Sequence, residues 1–140
     1  MLDFIRIACA VPAVRVGDTA KNAEDICDYL RKADAQNVDL LVFPEMSLTG
    51  YTCQDLFFQD TLNEGVWAGL REILETSAAC PRVTAVVGLP LRLGVRMFNC
   101  AAVVARGRIQ GIVPKTAIPN YNEFYEKRWF ASGDALDVDS

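Results

Sequence analysis

The sequence contains no histidine among its 140 residues, although it contains five cysteines. Catalysis by a Ser-His-Asp triad or a Cys-His pair within this chain is therefore excluded, and a zinc site has few ligands available. Any acid–base chemistry must use carboxylates, lysine or tyrosine. The cysteines are scattered and form no C-x-x-C pair, so we expect reduced thiols that mostly fill the core.

Blocks of like charge are also missing, although the net charge is −4. Nucleic acid is not an expected partner, because phosphate binding needs clustered lysine and arginine. Apolar runs such as 83–91 are too short to cross a bilayer, so no membrane association is expected. Charged residues interrupt the first apolar stretch, which is atypical of a signal peptide and favours a cytoplasmic location. The glycine-rich loops that cradle nucleotide phosphates are absent as well.

Apolar strands that alternate with amphipathic helices predict an α/β sheet. The predicted strands lie at 5–11, 38–43, 83–93, 98–105 and 108–113. Apolar residues at helical spacing predict one helix between Asp18, which can cap it, and Asn37, and a second helix over 61–79. Because the strands are almost wholly apolar, we expect a sheet that is covered on both faces.

Two charged residues come directly after predicted strands. Glu45 follows the second strand in FPE, and Lys115 follows the last strand in GIVPK. Sites in such sheets form outside the carboxyl ends of the strands, so the two side chains converge in one crevice if their strands are neighbours. Position alone also permits a simple strand-end charge pair or two unrelated solvated side chains.

Longer segments around these residues are similar to a known family. FPEMSLTGYTCQDLF (43–57) and GRIQGIVPKTAIPNYNEFYEKRWFASG (107–133) resemble the first two catalytic segments of the nitrilase, or carbon–nitrogen hydrolase, superfamily. The opening RIACAVPAVRVGDTAKNAEDI resembles that family's first strand and helix. The resemblance implies the first half of an α-β-β-α sandwich, a mixed sheet with helices packed on it. It also implies that 1–140 is an incomplete amidase domain, truncated before the nucleophile segment.

Members of this superfamily use a triad of glutamate, lysine and cysteine. By the resemblance, Glu45 is the general base, Lys115 is the lysine, and Glu126 is a second glutamate beside the triad. The nucleophilic cysteine belongs to a third segment that these 140 residues do not contain, so we expect them to be inactive alone. Cys53 shares a loop with Glu45 but does not match the position of the nucleophile, and we interpret it as structural.

Within the superfamily, TGYTCQDLFFQ and IPNYNEFYEKRWF resemble the amidase domain of glutamine-dependent NAD synthetases. That domain releases ammonia from glutamine for a downstream ligase domain, so the resemblance implies glutamine as substrate. Tyr51 and Tyr121 match tyrosines of the glutamine pocket and Phe124 matches a nearby aromatic, although a lone aromatic in a loop often simply packs. The resemblance further implies no metal or cofactor in this chain, ATP and Mg²⁺ only in the ligase domain, and a homo-oligomer.

Two other functions are compatible with the sequence. A stand-alone nitrilase-type amidase acting on another small amide would carry the same triad. A non-catalytic α/β module that binds a ligand or partner would carry charges at strand ends by chance. Glu45 and Lys115 on opposite faces of the sheet would favour the non-catalytic module.

Overall fold

The computed structural model describes residues 4–136. The strands are β1 (Ile7–Cys9), β2 (Leu40–Val42), β3 (Thr84–Leu93), β4 (Arg96–Ala105) and β5 (Arg108–Pro114), and the helices are α1 (Thr19–Ala35) and α2 (Asp60–Ala79). Short 3₁₀ helices occupy Gln54–Phe58, Glu126–Arg128 and Gly133–Ala135. The predicted α/β fold is confirmed, and every predicted strand and helix is present with small shifts of its ends.

The strands form one mixed sheet in the order β1-β2-β3-β4-β5. β1, β2 and β3 are parallel, whereas β4 is antiparallel to both β3 and β5. β2 and β5 therefore run in the same direction, and their carboxyl ends lie at the same edge of the sheet. Since β3 and β4 lie between them, these ends are roughly 14 Å apart at the usual strand spacing.

Both ends of α1 lie where the capping residues in the sequence predict them. The Asp18 side chain accepts a hydrogen bond from the Lys21 N–H at 3.0 Å, which satisfies an unpaired donor of the first turn. Asn37, the residue after the C-cap Gln36, adopts a positive φ of 56°, a conformation that asparagine tolerates well. In the part of the chain that is described, neither helix is long and apolar enough to span a bilayer.

Both helices pack on one face of the sheet and form the main core with it. The core includes side chains of both helices and of the three central strands: Ile26, Leu30, Leu70, Ile73, Leu41, Val87, Leu89 and Val104. These side chains are at most 3% exposed. Full burial of such an aliphatic side chain contributes about 1.5–3 kcal/mol relative to exposure. This face is therefore the main source of stability.

The opposite face of the sheet, which we call the open face, is only partly covered in residues 4–136. Loops bury Met97 and Asn99 on this face, and Met97 packs there with Met46 and Phe130. Ile7 is 60% exposed and Val113 is 62% exposed, and Val86 and Val103, which are paired across β3 and β4, are only partly buried. The prediction that both faces are covered therefore holds for only part of this face. Apolar strand composition indicates that a face is suited to burial, but it does not say which segment covers it.

Candidate active site

The loop after β2 carries Glu45 across the open face of the sheet. It runs over β3, where the N–H of Leu48 donates to the carbonyl of Gly88 at 3.1 Å. Gly88 permits this approach, because a Cβ there would lie 2.5 Å from the nitrogen of Met46 and 2.6 Å from the oxygen of Pro44. The loop thereby bridges the gap between β2 and β5. The two strands are not neighbours, so convergence depends on this crossing.

Asn22 of α1 fixes the far end of the same loop. Its Nδ2 donates to the carbonyl of Leu48 at 3.1 Å and to that of Arg15 at 2.7 Å, while its Oδ1 accepts from the Arg15 N–H at 2.8 Å. Asn22 is 2% exposed, so these bonds form in a low-dielectric environment. The N–H of Gly17 also donates to the carbonyl of Thr49 at 2.7 Å. The Glu45 loop is therefore held both where it crosses β3 and at Leu48 and Thr49, where it contacts α1 and the segment before it.

Lys115 lies between two glutamates at the carboxyl edge of β5. Its Nζ is 2.9 Å from Oε1 of Glu45 and 3.1–3.2 Å from the two oxygens of Glu126. Glu126 is 2% exposed, whereas the other two side chains reach the surface. The structure thus brings together three of the residues that the sequence singled out. We call this group the charged cluster.

The charged cluster keeps its lysine protonated. Burial lowers the pKa of Lys115, but its hydrogen bonds and attraction to Glu45 and Glu126 outweigh that effect, so the pKa is raised above its ordinary value. A lysine in this setting is a fixed positive charge at neutral pH. Such a charge is suited to stabilising an oxyanion.

Tyr51 contacts the charged cluster through its hydroxyl. The hydroxyl donates to Oε1 of Glu126 at 2.6 Å. Burial, the hydrogen bond to Glu126 and the nearby negative charges raise the pKa of Tyr51, so it remains a neutral donor. Tyr51 is therefore hydrogen-bonded to Glu126, the buried glutamate that contacts Lys115.

Tyr121 and Phe124 form an aromatic pair in the loop before Glu126. Their rings meet edge to face with centroids 5.9 Å apart, and Tyr121 is 65% exposed. Among residues 4–136, no hydrogen bond joins the Tyr121 hydroxyl to the charged cluster. Their assignment to a substrate pocket remains a prediction.

Cys53 is enclosed beneath the Glu45 loop. It is 2% exposed, its thiol donates to the carbonyl of Thr49 at 3.1 Å, and it packs with Met46 and Phe57. Burial raises its pKa. Since the thiolate is the nucleophilic form, this environment supports a structural role.

An ion pair joins the loop of Tyr51 to the short helix of Glu126. The carboxylate of Asp55 accepts two hydrogen bonds from Arg128 at 2.8 Å and one from the indole of Trp129 at 3.0 Å. The hydrogen bonds from Arg128, and then that from Trp129, hold the pKa of Asp55 well below its usual range. We call this contact the Asp55 clamp.

Asn99 is a site residue that the sequence analysis missed. It is 4% exposed on β4, and its Nδ2 donates to Oε1 of Glu45. Its backbone carbonyl accepts the N–H of Lys115 at 2.7 Å. The available signal was a single amide in the otherwise apolar run MFNCAAVVA.

A concavity of about 300 Å³ opens beside these residues on the uncovered face. Glu45, Lys115 and Asn99 contribute its polar wall, while Val86 and Val113 contribute part of its apolar wall. Apolar clefts with a few convergent polar groups are typical binding sites for small molecules. A carboxylate that can accept a proton and a fixed ammonium suit acyl transfer at an amide once a nucleophile is supplied.

The fold and the charged cluster together define a nitrilase-type hydrolase architecture. The chain belongs to the carbon-nitrogen hydrolase family, whose sequence profile matches residues 6–139.

Relatives of known activity match nearly the whole chain. The glutamine-dependent NAD(+) synthetases of Mycobacterium tuberculosis and Xylella fastidiosa are 40% and 36% identical to it over 131 and 132 residues. These matches cover 94% and 93% of this chain but 19% and 24% of the relatives. The chain thus spans about a fifth to a quarter of the length of these relatives.

Solved structures agree with the sequence matches. The glutamine-dependent NAD(+) synthetase of Cytophaga hutchinsonii superposes with a TM-score of 0.81 at 34% identity, covering 91% of this chain and 22% of that one. An amidase from Nesterenkonia superposes with a TM-score of 0.80 at 24% identity, covering 92% and 48%. The similarity to the Nesterenkonia amidase shows a shared fold.

Proposed function

We propose that this chain is part of the glutaminase domain of a glutamine-dependent NAD synthetase. In this proposal the domain hydrolyses the side-chain amide of glutamine and supplies ammonia to a separate ATP-using ligase domain. The observation that carries the proposal is the charged cluster of Glu45, Lys115 and Glu126, in a chain that is 36–40% identical to such synthetases.

The proposed reaction begins with proton transfer to Glu45. Glu45 takes the proton of a cysteine thiol, and the thiolate attacks the amide carbon of glutamine. Lys115 stabilises the oxyanion of the tetrahedral intermediate. When the C–N bond breaks, protonated Glu45 gives its proton to the leaving ammonia. Glu45 then activates the water that hydrolyses the thioester and regenerates the thiol.

Glu126 and Tyr51 support Lys115 in this scheme. Glu126 offers both oxygens to the ammonium, and the Tyr51 hydroxyl bonds one of these oxygens at 2.6 Å. Together they restrict a side chain that is otherwise flexible. We assign Tyr51, Tyr121 and Phe124 to the glutamine-binding side of the site, with Tyr51 acting chiefly through Glu126.

The proposal places the nucleophile and the remaining half of the sandwich in a segment outside these 140 residues. The open apolar face of the sheet and the concavity beside Glu45 support this placement, because both are suited to burial by a second layer. The amidase chemistry uses only protein side chains, and ATP and Mg²⁺ belong to the ligase domain. A cytoplasmic location and a homo-oligomeric state remain predictions.

The two alternative functions are less well supported. A stand-alone amidase would use the same charged cluster, but the relatives at 36–40% identity are synthetases. A non-catalytic module would not require Glu45, Lys115 and Glu126 to converge beside a concavity.

The decisive experiment is Glu45→Gln in the complete protein, assayed for NAD synthesis with glutamine and separately with ammonium salt. The substitution keeps the shape of the side chain and removes its basicity. Glutamine-dependent synthesis is expected to fall by about 10²–10⁴-fold, the contribution of positioned proton transfer. Synthesis from ammonium is expected to persist, because the ligase site is separate.

Glu123→Gln is the matched control, since Glu123 is an exposed glutamate of a neighbouring loop. It should leave both reactions unchanged. Equal defects of Glu45→Gln with both nitrogen donors would assign Glu45 to the fold or the ligase. Normal use of glutamine would end its role as the base.

A further inference from the structure

Asn99 of β4 contacts two members of the charged cluster, Glu45 and Lys115. Its side chain donates to Oε1 of Glu45, and its backbone carbonyl accepts the N–H of Lys115 at 2.7 Å. The neighbouring side chains of Phe98 and Cys100 point to the helix face and are 3% and 5% exposed. Asn99 is therefore the polar residue of this stretch that faces the site.

Burial of an amide is unfavourable unless the amide is hydrogen-bonded. An apolar residue of similar size would suit this position of β4 better if the fold were the only requirement. The partner of the Asn99 amide is Glu45 and not a structural carbonyl. This hydrogen bond indicates that the amide of Asn99 serves the candidate site.

The two oxygens of the Glu45 carboxylate have different surroundings. Oε1 accepts from Nδ2 of Asn99 and from Nζ of Lys115 at 2.9 Å. In the described part of the chain, no group donates to Oε2. Since an ionised carboxylate only accepts, Asn99 must present its NH₂ group to Oε1. Oε2 is thereby left as the oxygen that can take a proton.

We propose that Asn99 is a positioning residue that holds Oε1 of Glu45 and so makes Oε2 the oxygen that accepts and returns the proton. This inference rests on the proposed amide hydrolysis, whose base is Glu45. Lys115 alone does not fix the orientation of the carboxylate, because its ammonium is a compact point charge that also bonds both oxygens of Glu126. A short, buried amide on a strand supplies the rigid second donor that fixes the carboxylate orientation.

The test is Asn99→Leu in the complete protein, a change that removes the amide at nearly constant size. The turnover number kcat for glutamine hydrolysis is expected to fall by about 10²-fold, the typical cost of a misplaced catalytic group. KM is expected to change by less than about threefold, because Asn99 acts on the reacting geometry and not on substrate binding. Synthesis of NAD from ammonium should be retained.

Asn63→Leu is the matched control. Asn63 is a partly buried amide of α2 that donates to the carbonyls of Phe57 at 3.1 Å and Gln59 at 2.7 Å, outside the charged cluster. Its replacement should leave kcat for glutamine unchanged. A loss of kcat specific to Asn99→Leu would therefore not be a general effect of removing a hydrogen-bonded amide.

A second background separates positioning from structural support. Glu45→Asp shortens the carboxylate side chain and withdraws it from Asn99. In that background Asn99→Leu is expected to cost less than about threefold in kcat, because the contact is already lost. A residue that only supported the sheet would reduce kcat equally in both backgrounds. Asn99→Asp, which replaces the donor with an acceptor, should be at least as slow as Asn99→Leu.

Normal kcat in Asn99→Leu, or equal losses in the two backgrounds, would overturn the inference. Loss of cooperative unfolding in both Asn99 variants would do the same, because it would assign Asn99 to the fold. If the wild-type protein hydrolyses other small amides but not glutamine, the proposed function fails on its own. The Asn99 comparison is then made with the amide that is hydrolysed.

Discussion

The two faces of the sheet are held together by different interactions. On the helix face, aliphatic side chains such as Leu30, Ile73 and Leu89 are completely buried. On the open face, charged and polar contacts join residues that are 54 to 75 positions apart, including Glu45 with Lys115. Substitutions in the core of the helix face should therefore reduce stability, whereas substitutions at these polar contacts should reduce hydrolysis.

Leu89→Ala tests how far the helix face determines stability. Leu89 is 0% exposed at the centre of the core. Its truncation is expected to lower the free energy of unfolding by about 2–5 kcal/mol, from lost burial and the cavity that remains. Urea denaturation of the complete protein measures this change.

Leu93→Ala is the control, because Leu93 lies on the same strand and is 56% exposed. It should alter the free energy of unfolding by no more than about 0.5 kcal/mol.

At temperatures where Leu89→Ala is folded, its glutamine- and ammonium-dependent rates should remain in the normal ratio. A selective loss of glutamine use would mean that the two faces are not independent.

Gly88→Ala tests the neighbouring position of β3, which lies on the opposite face of the sheet. The new Cβ would lie 2.5 Å from the nitrogen of Met46, so the loop that carries Glu45 must move. A displacement on the order of 1 Å is expected to reduce kcat for glutamine by about 10²-fold. Synthesis from ammonium should persist.

The control for Gly88→Ala is Gly111→Ala on β5, where no atom lies within 4 Å of the added Cβ. It should leave glutamine hydrolysis intact. Normal kcat in Gly88→Ala would show that the crossing loop adapts without disturbing the site. Glu45 would then not depend on the close approach at Gly88.

The helix face was predictable from sequence because its signals are local. The capping aspartate Asp18, the helical spacing of apolar residues and the Arg106-Gly107 turn each act over a few residues. Positive φ angles of 53° and 76° at that turn match the expected hairpin. The five strands and both α-helices of residues 4–136 were therefore predicted to within a few residues, whereas the short 3₁₀ helices were not.

The open face was predictable only in part. Strand ends and the family resemblance indicated Glu45 and Lys115, but the crossing loop at Gly88 and the amide of Asn99 have no local pattern. The strands of Glu45 and Lys115 are separated by two others, which strand-end reasoning alone does not reveal. Hydrogen bonds between distant segments depend on the folded path of the chain, and a single sequence does not encode that path in its periodicity.

Asp55→Asn tests the rim of the open face and has the smallest expected effect. Asp55 and Arg128 have exposed fractions of 61% and 59%, so solvent screens most of their attraction. We expect a slight decrease in melting temperature at pH 7. We also expect a modest rise in KM for glutamine, because the Asp55 clamp holds the Tyr51 loop against the Glu126 helix. Asp28→Asn is the control, since Asp28 makes a similarly exposed ion pair with Arg31 on the outer side of α1.

The pH dependence of this difference follows from the direction of the pKa shift. Hydrogen bonds from Arg128 and Trp129 depress the pKa of Asp55 in the folded protein below its usual 3.8. A depressed carboxyl pKa contributes stability above the unfolded-state value, and this contribution is lost as the pH falls through the folded-state value. The gap in melting temperature between wild type and Asp55→Asn should be constant from about pH 7 to pH 5 and shrink below about pH 4. Thermal scans across this range measure the gap, and a gap that widened on acidification would contradict the assigned role of the carboxylate.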